Sequence, residues 1–547
     1  MHSDPPEQLP ANSIDGRARR PDPLRLARRC ALHVVLLTSL CLGTSSVSHA
    51  RPDDAFVDTN ALAKSKKRKK KRETPPAPTP SPSTQPRTSA PRPPAPVVAP
   101  TPAVPSFVLQ RHSLQNGLRI VLHPDPTLPS VAVSIAYLAG SSFESTEQQG
   151  FTRAVSQHLA ADRATKPGAS QLPVASSYVG PDLITFTTIV PPGRAGLALW
   201  REAHRIARPI DAPAFDALRA ALEHAHRAPP RSRVEQLAYQ GCWPYEHVAS
   251  GWTDDLSRSD PETLEAFRRR VIAPSNAVVS VTGRFEPATL LAEIRRLFGR
   301  IPPVVASVAP SLALPDQINQ RVELEKSAQP VAQHFLYGWA VPPSGHADLP
   351  AIRLAIAMLQ DRVHAGLVTR SSRFARLPEE ANLRIRLDER LGPSLLTLRV
   401  DLPASLDMDA TRAVIDEAML DLAAQGPTAE EMQSAWRTAQ SDWLDALSAV
   451  DLRAAALARA ELLRKDASTV TALPSALVAI NREEVRKAVQ VYLTPIRRNL
   501  VEKRGPKVEP PAPRAKPSSV PAAPRAGTRP NRKKPSRNKG SKRRGSK

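Results

Sequence analysis

The stretch Leu114–Gly140, LQNGLRIVLHPDPTLPSVAVSIAYLAG, decides the fold of this chain. Asn116-Gly117 lies between two runs in which apolar and polar residues alternate, and this dipeptide favours the tight turn of a β-hairpin. The run Ser130–Gly140 reads as a third strand. Helical spacing follows in GFTRAVSQHLAAD, Gly150–Asp162. The stretch therefore predicts a sheet that begins with a hairpin and is followed by a helix.

The rest of the chain repeats this mixed order. Strand Asp182–Pro192 is followed by helical segments and by the strand NAVVSVTG, and a weaker copy of the same order occurs later. In that copy, Ser394–Pro403 resembles the strand ending at Pro192, and the segment after Asn481 resembles the segment after Ser259. Strands that alternate with helix pairs indicate an α+β layered domain. We predict two homologous layered α/β domains of about 200 residues, at 106–305 and 306–505.

Both ends of the chain have a different composition. Many of the 58 prolines lie in 73–105 and in the tail from Lys503, which predicts disordered segments at 51–105 and 506–547. The net charge of +24 is concentrated in Lys64–Arg72, with eight basic residues, and in the tail, with sixteen. The remaining chain is close to neutral, which argues against nucleic-acid binding. The basic tails could instead attach to an anionic envelope surface.

The N-terminus predicts export. Basic residues precede the apolar run CALHVVLLTSLCLG, and small residues at Ser48 and Ala50 fit a cleavage site. We therefore predict a signal peptide over 1–50, secretion across the inner membrane, and a periplasmic or envelope location. An uncleaved anchor is the alternative. Removal of this segment leaves Cys242 as the remaining cysteine, which excludes an internal disulfide and a cysteine-based metal site.

Longer ordered segments carry a resemblance to a known family. LQNGLRIVLHPDPTLPSVAVSIAYLAGSSFE, WPYEHVASGWTDDLSRSDPETLEAFRRRVIAPSNAVVSVTG and LFGRIP lie in the first half, and FLYGWAVPP lies in the second. Together they resemble the pitrilysin/insulinase family of zinc metallopeptidases, which includes the mitochondrial processing peptidase. The resemblance implies a repeated two-domain fold and clam-shell pairs of chains around a closed chamber.

The resemblance also implies an active-site helix with the pattern Gly-x-x-His-x-x-Glu-His, in which two histidines hold Zn²⁺ and the glutamate activates water. In this chain those three positions hold Arg153, Ser156 and Gln157. Arginine has only donors, serine is a poor general base and glutamine is a weak ligand. Glu223 matches the third ligand. The helix is thus interpreted as an emptied metal site with no cofactor, and zinc is expected only if His158 and His224 rescue the site.

The family's substrate contacts are also incomplete. Arg362 matches an arginine that holds the peptide carbonyl, but no tyrosine occurs between Tyr337 and Tyr492. The leading hypothesis is a non-catalytic subunit or binding module that forms a heterodimer or homodimer with an insulinase-like chain. The alternatives are a metal-dependent endopeptidase with a rearranged site, and an envelope scaffold held by its basic tails.

Overall fold

The computed structural model describes residues 107–161, 171–225, 233–247, 253–305, 310–326, 333–365 and 380–504. The predicted signal peptide, the proline-rich linker and the basic tail lie outside these residues and stay predictions. Within the described part of the chain, no helix is both long and apolar enough to cross a membrane.

The first half contains a six-stranded sheet with the order β1-β2-β6-β3-β5-β4. β2 and β6 run parallel, and the other neighbours run antiparallel. The strands are β1 (Gln110–Ser113), β2 (Arg119–Pro124), β3 (Val131–Leu138), β4 (Ser176–Val179), β5 (Leu183–Val190) and β6 (Ala277–Gly283). The predicted hairpin and third strand are therefore confirmed.

The hairpin turn depends on its asparagine and its glycine. Leu114 N–H donates to Leu118 O, and Gly117 has a φ of 90°, a left-handed conformation that glycine adopts without strain. The buried Asn116 amide donates to Phe298 O at 2.8 Å and to Ile301 O at 2.9 Å. The turn thus also fixes a later segment of the chain.

The second half contains a five-stranded sheet with the order β7-β11-β8-β10-β9. Its strands are β7 (Arg321–Lys326), β8 (Gln333–Val341), β9 (Asn382–Asp388), β10 (Ser394–Leu402) and β11 (Asn499–Arg504). The pair β7 and β11 is parallel, as β2 and β6 are, and the other neighbours are antiparallel. Apart from β1, the two sheets therefore share one topology, and the predicted fold class of two homologous α+β layers is confirmed. The domain boundaries themselves stay predictions.

Helices of both halves pack against the sheets. Those of the first half are α1 (Phe151–Ala160), α2 (Ala195–Ala207), α3 (Ala212–Ala225), α4 (Arg233–Ala238), α5 (Trp243–Glu246), α6 (Thr253–Arg258), α7 (Pro261–Val271) and α8 (Pro287–Phe298). Those of the second half are α9 (Leu349–Ala365), α10 (Met408–Gln425), α11 (Ala429–Ala446), α12 (Val450–Leu463), α13 (Thr469–Ala479) and α14 (Arg482–Tyr492). Each half has its own hydrophobic core.

The start of α7 differs in detail from its sequence signal. Ser259 and Glu262 have the spacing of a capping box, but Asp260 is the N-cap, and its side chain accepts from Thr263 N–H at 2.7 Å. The sequence spacing favours Ser259 as the cap, and the helix instead begins one residue later, because the aspartate next to it is an equally good cap. In the second half, Asn481 and Glu484 do form a capping box at α14.

Helix α12 joins the halves, because it belongs to the second half in sequence and packs on the first sheet. Its apolar residues pack on the face of the first sheet opposite α2; the buried cluster comprises Val121, Ala136, Leu183, Val278, Leu457, Ala458, Leu462 and Ala467. Beside it, the buried Glu461 pairs with Arg111 at 3.0 Å, and Arg453 pairs with Asp125 at 3.1 Å. The first sheet is thus buried on both faces, and the halves form a continuous packed body.

Candidate functional site

The face of α1 carries the three residues that stand at the metal-site positions. Ser156 is buried, and its hydroxyl donates to Arg153 O at 2.8 Å within the same helix. Arg153 and Gln157 are half-buried. Guanidinium, hydroxyl and amide groups do not form the donor set that Zn²⁺ requires, so these residues do not fit the ion.

The histidine that could rescue the site is engaged elsewhere. His158 is buried, and Arg208 Nε donates to its Nε2 at 3.1 Å. Burial, with the nearby charges of Arg208 and Arg268, lowers the pKa of His158 to about 4. That hydrogen bond uses the Nε2 lone pair of His158, so Nε2 is not available to coordinate a metal ion.

The third position lies on a neighbouring helix. Glu223 is in α3, which packs against α1. The side chains of Glu223 and His224 lie outside the described ones. Among the side chains that are described, no group of three His, Cys, Asp or Glu residues could hold a metal ion. The metal role of these positions stays a prediction.

A buried glutamate holds the start of α1. Glu144 accepts from Gly150 N–H at 3.1 Å and from Thr152 N–H at 2.7 Å, next to the left-handed Gly150. These are N-terminal groups of the helix that have no partner within it. His247 Nε2 lies 3.3 Å from Glu144 Oε2, and Nδ1 lies 2.7 Å from Trp243 O. Burial alone lowers the pKa of His247, but Glu144 outweighs it and raises the pKa above the usual value.

A second buried carboxylate connects the two halves. Asp182 accepts from Ser142 Oγ at 3.0 Å, from Tyr245 OH at 2.9 Å and from Leu391 N–H of the second half at 2.8 Å. Tyr245 OH accepts in turn from Gly392 N–H at 2.9 Å. Burial raises the pKa of Asp182, although these hydrogen bonds oppose the shift. We call this group the junction cluster.

An arginine reinforces the junction cluster. Arg390 is 3% exposed and pairs with Asp388 at 3.0 Å and with Glu235. Its guanidinium lies 4.8 Å from the centre of the Tyr239 ring and 5.1 Å from that of Tyr245. Cation–π contacts of this kind are stronger where water is excluded.

Helix α5 ties the junction cluster to the start of α1. Tyr245 contacts Asp182, and His247, two positions later, contacts Glu144. On the other chain segment, Ser142 and Glu144 have the same spacing. The second half is therefore connected through two short segments to the residues that orient α1. The sequence analysis missed these roles, although the segments GSSFE and WPYEH are both part of the family resemblance.

Close approach explains one glycine in this region. A Cβ on Gly140 would lie 1.7 Å from Pro181 O. Only glycine lets the chain pass close enough for Ala139 N–H to reach Asp182 O at 2.9 Å. The end of β3 is thereby fixed against the start of β5, directly before the junction cluster.

Arg362 is placed within the second half. Its guanidinium pairs with Glu431 at 2.7 Å and with Asp421 at 3.0 Å, and its side chain is 8% exposed. These contacts give Arg362 a structural role between α9, α10 and α11. Its predicted contact with substrate is a separate role that stays a prediction.

Comparisons with known proteins agree with this architecture. Residues 259–438 match a family model described as the peptidase M16 inactive domain. The resemblance to the insulinase family is confirmed. A comparison with curated protein sequences finds no match.

Solved structures share the insulinase-like fold over most of the described chain. A protease from Helicobacter pylori has 16% identity and a TM-score of 0.61, and the match covers 73% of this chain and 99% of that one. A peptidase M16 inactive domain from Pseudomonas fluorescens has 15% identity and a TM-score of 0.60 over 74% and 98%. The periplasmic protease PqqL from Escherichia coli has 15% identity and a TM-score of 0.59, over 73% of this chain but 48% of that chain.

Proposed function

We propose that this protein is a non-catalytic insulinase-like subunit that pairs with a second insulinase-like chain, one that keeps its zinc ligands. The observation that carries the proposal is the contrast along α1. Glu144 and His247 hold the start of the helix, whereas Arg153, Ser156 and Gln157 do not fit a metal. A non-catalytic subunit needs this helix in an ordered position at the chamber, but it does not need groups that catalyse hydrolysis.

The length of PqqL supports pairing. This chain spans about half of it, 48%, so that the longer chain has room for a second unit of similar size. Two such units in one polypeptide are the covalent equivalent of two separate chains. We infer that pairing with an insulinase-like chain would bring together two units in the same way.

The surface beside α1 is suited to bind an extended peptide. Among the described strands, β4 pairs only with β5, and its residues Ser176 and Ser177 are exposed. α1 packs against β4. An edge strand can add a peptide through backbone hydrogen bonds without any catalytic group. The protein would then help to hold a peptide that its partner hydrolyses.

The test is isolation of the full-length protein from its native host, followed by identification of bound chains. We expect a stoichiometric complex with an insulinase-like chain that carries His-x-x-Glu-His. A chelator should abolish peptidase activity of the complex, and Arg153→Ala in this chain should leave the chemical step intact. A monomer that hydrolyses peptides alone, with chelator-sensitive activity, would instead support the rearranged metallopeptidase.

We further propose a periplasmic location, with attachment to anionic envelope components through the basic tails. The charge of Lys64–Arg72 and of the segment after Arg504 supports this. Deletion of 505–547 leaves β11 intact and should weaken binding to anionic vesicles, with a larger effect at low salt. Unchanged vesicle binding after this deletion would contradict the attachment by the C-terminal tail.

A further inference from the structure

We propose that the first half binds a small organic anion in a cavity whose lining contains none of the metal-site positions of α1. The cavity has a volume of about 540 Å³ and lies between α2, the end of α7 and the segment that follows α8. This volume is in the range of small-molecule sites, which measure roughly 300–1,000 Å³. We call it the arginine cavity, after Arg268, Arg269, Arg296 and Arg300 in its lining. It is independent of the proposed pairing.

Two of these arginines are already neutralised. Arg268 is buried and forms two 2.7 Å contacts with Glu265, and Arg296 forms a two-point pair with Glu293 at 2.9 and 2.6 Å. Arg269 and Arg300 are exposed and have no hydrogen-bond or ion-pair partner in the described part of the chain. No described residue in the lining is Asp or Glu. The charge of Arg269 acts on Glu265, but that carboxylate is already hydrogen-bonded by Arg268, and Arg269 forms no direct bond to it among the described contacts. The cavity therefore presents two guanidinium groups whose donors are not taken up by a carboxylate.

The charges of Arg269 and Arg300 are not needed to stabilise helix C-termini. Basic residues are favourable at the ends of helices, where backbone carbonyls lack partners. Here other groups already serve the carbonyls: Arg268 donates to Ile206 O at 3.1 Å, and Ile272 N–H donates to Arg268 O at 2.7 Å. Phe298 O accepts from the Asn116 amide. Arg269 and Arg300 thus remain available for a ligand.

The cavity also offers a flat apolar surface. The rings of Trp200 and His204 are stacked, 5.3 Å apart at an angle of 7°, and Ile272 and Leu297 add aliphatic surface. The wall formed after α8 is fixed by the Asn116 amide on Ile301 O, and by Ser275, whose hydroxyl donates to Val304 O at 2.9 Å. A preformed cavity of this kind binds with a smaller loss of entropy than a mobile one.

The ligand class follows from these groups. Guanidinium groups match carboxylate and phosphate, with two parallel hydrogen bonds each. The stacked rings and the aliphatic wall fit a planar, apolar body. The cavity should therefore bind an aromatic carboxylate or an aromatic phosphate.

Isothermal titration calorimetry of the full chain tests this with naphthyl phosphate and naphthoate as probes. We expect at least one to bind about tenfold or more tightly than inorganic phosphate and neutral naphthol, because only the probes use both surfaces. The stronger of the two identifies the acidic group. If neither probe binds better than inorganic phosphate and naphthol, the proposal is overturned.

Substitutions of the cavity arginines test whether the probe binds in the arginine cavity. Arg269→Gln and Arg300→Gln should each weaken the better probe by about tenfold, since each removes a charged hydrogen bond. Arg295→Gln is the matched control, because Arg295 is exposed on α8 and does not line the cavity, and it should leave the affinity unchanged. These substitutions are on exposed positions, and circular dichroism checks that the variants fold. Equal affinity of the protein and of the Arg269→Gln, Arg300→Gln double variant would also overturn the proposal.

Discussion

The start of α1 and the face of α1 differ in the kind of side chain that the fold has placed there. At the start, Glu144 and His247 are buried and hydrogen-bonded to backbone and to each other. On the face, Arg153, Ser156 and Gln157 offer no zinc ligand set. The position of α1 thus depends on Glu144 and His247, which lie outside the metal-binding sequence pattern. The ligands can be absent while the helix keeps its place.

The largest expected effect comes from returning ligands to the face. The double substitution Arg153→His, Gln157→His places two imidazoles one helical turn apart on α1, which packs against α3. With Glu223 as the third ligand, we expect Zn²⁺ to bind with a dissociation constant of about 1 μM or lower. Complete structural zinc sites bind the ion much more tightly than this. Competition with a zinc-sensitive dye at neutral pH measures it.

Two controls make this experiment decisive. Each single histidine variant should bind zinc at least about tenfold more weakly than the double variant, and Glu223→Gln in the double variant should cost a similar factor. A folded double variant that binds zinc no better than the unsubstituted protein would show that α1 and α3 are not held at ligand distance. This result would contradict the conclusion that α1 keeps its position without the zinc ligands.

The next largest effect is expected in the junction cluster. Asp182→Ala should lower the free energy of unfolding by about 3–5 kcal/mol, because Leu391 N–H, Tyr245 OH and Ser142 Oγ lose one buried acceptor. Urea denaturation followed by circular dichroism measures it. Asp216, whose side chain is 68% exposed, provides the control, and its alanine variant should stay within about 0.5 kcal/mol of the parent. Similar midpoints for the two variants would remove the junction cluster as a stabilising element.

Much of the fold could be predicted from local sequence patterns. The alternation around Asn116-Gly117 and the helical spacing after Gly150 are set by neighbours in sequence, and both elements form as expected. The repeat was visible because equivalent strands and helices have similar patterns. Ser259 shows the limit, since adjacent residues that are both good caps cannot be ranked without the backbone.

The surroundings of the candidate site were not predictable in the same way. Asp182 and Leu391 are distant in sequence, and their contact depends on how the second half docks. A lone aspartate before a strand gives no sign of a buried role. The arginine cavity has the same origin, because Arg269 and Arg300 come from separate helices that meet only in the folded chain.

A smaller effect is expected at the start of α1. His247→Gln should cost about 1–3 kcal/mol below pH 6.5, where the charged hydrogen bond to Glu144 is complete. Because the pKa of His247 is raised in the folded state, this stabilisation is present below the unfolded pKa and is lost as the pH rises through the folded pKa. The difference between variant and parent should therefore shrink in alkaline solution. A pH-independent difference for His247→Gln would mean that its charge does not matter.

The smallest effect is expected in the second half, at a carboxylate that the fold holds unfavourably. Burial, with the charges of Asp445 and Asp361, raises the pKa of Asp442 to about 6, although Arg353 opposes the shift. The proton bound to folded Asp442 stabilises the protein below about pH 4, and that stabilisation is lost as the pH rises to about 6. Asp442→Asn should thus raise the free energy of unfolding by about 1 kcal/mol at pH values above 7, after allowance for solvent screening, and leave it unchanged near pH 4. Chemical denaturation at both pH values measures this, with Asp216→Asn as the exposed control. An equal gain at both pH values would mean that the ionisation of Asp442 is not the cause.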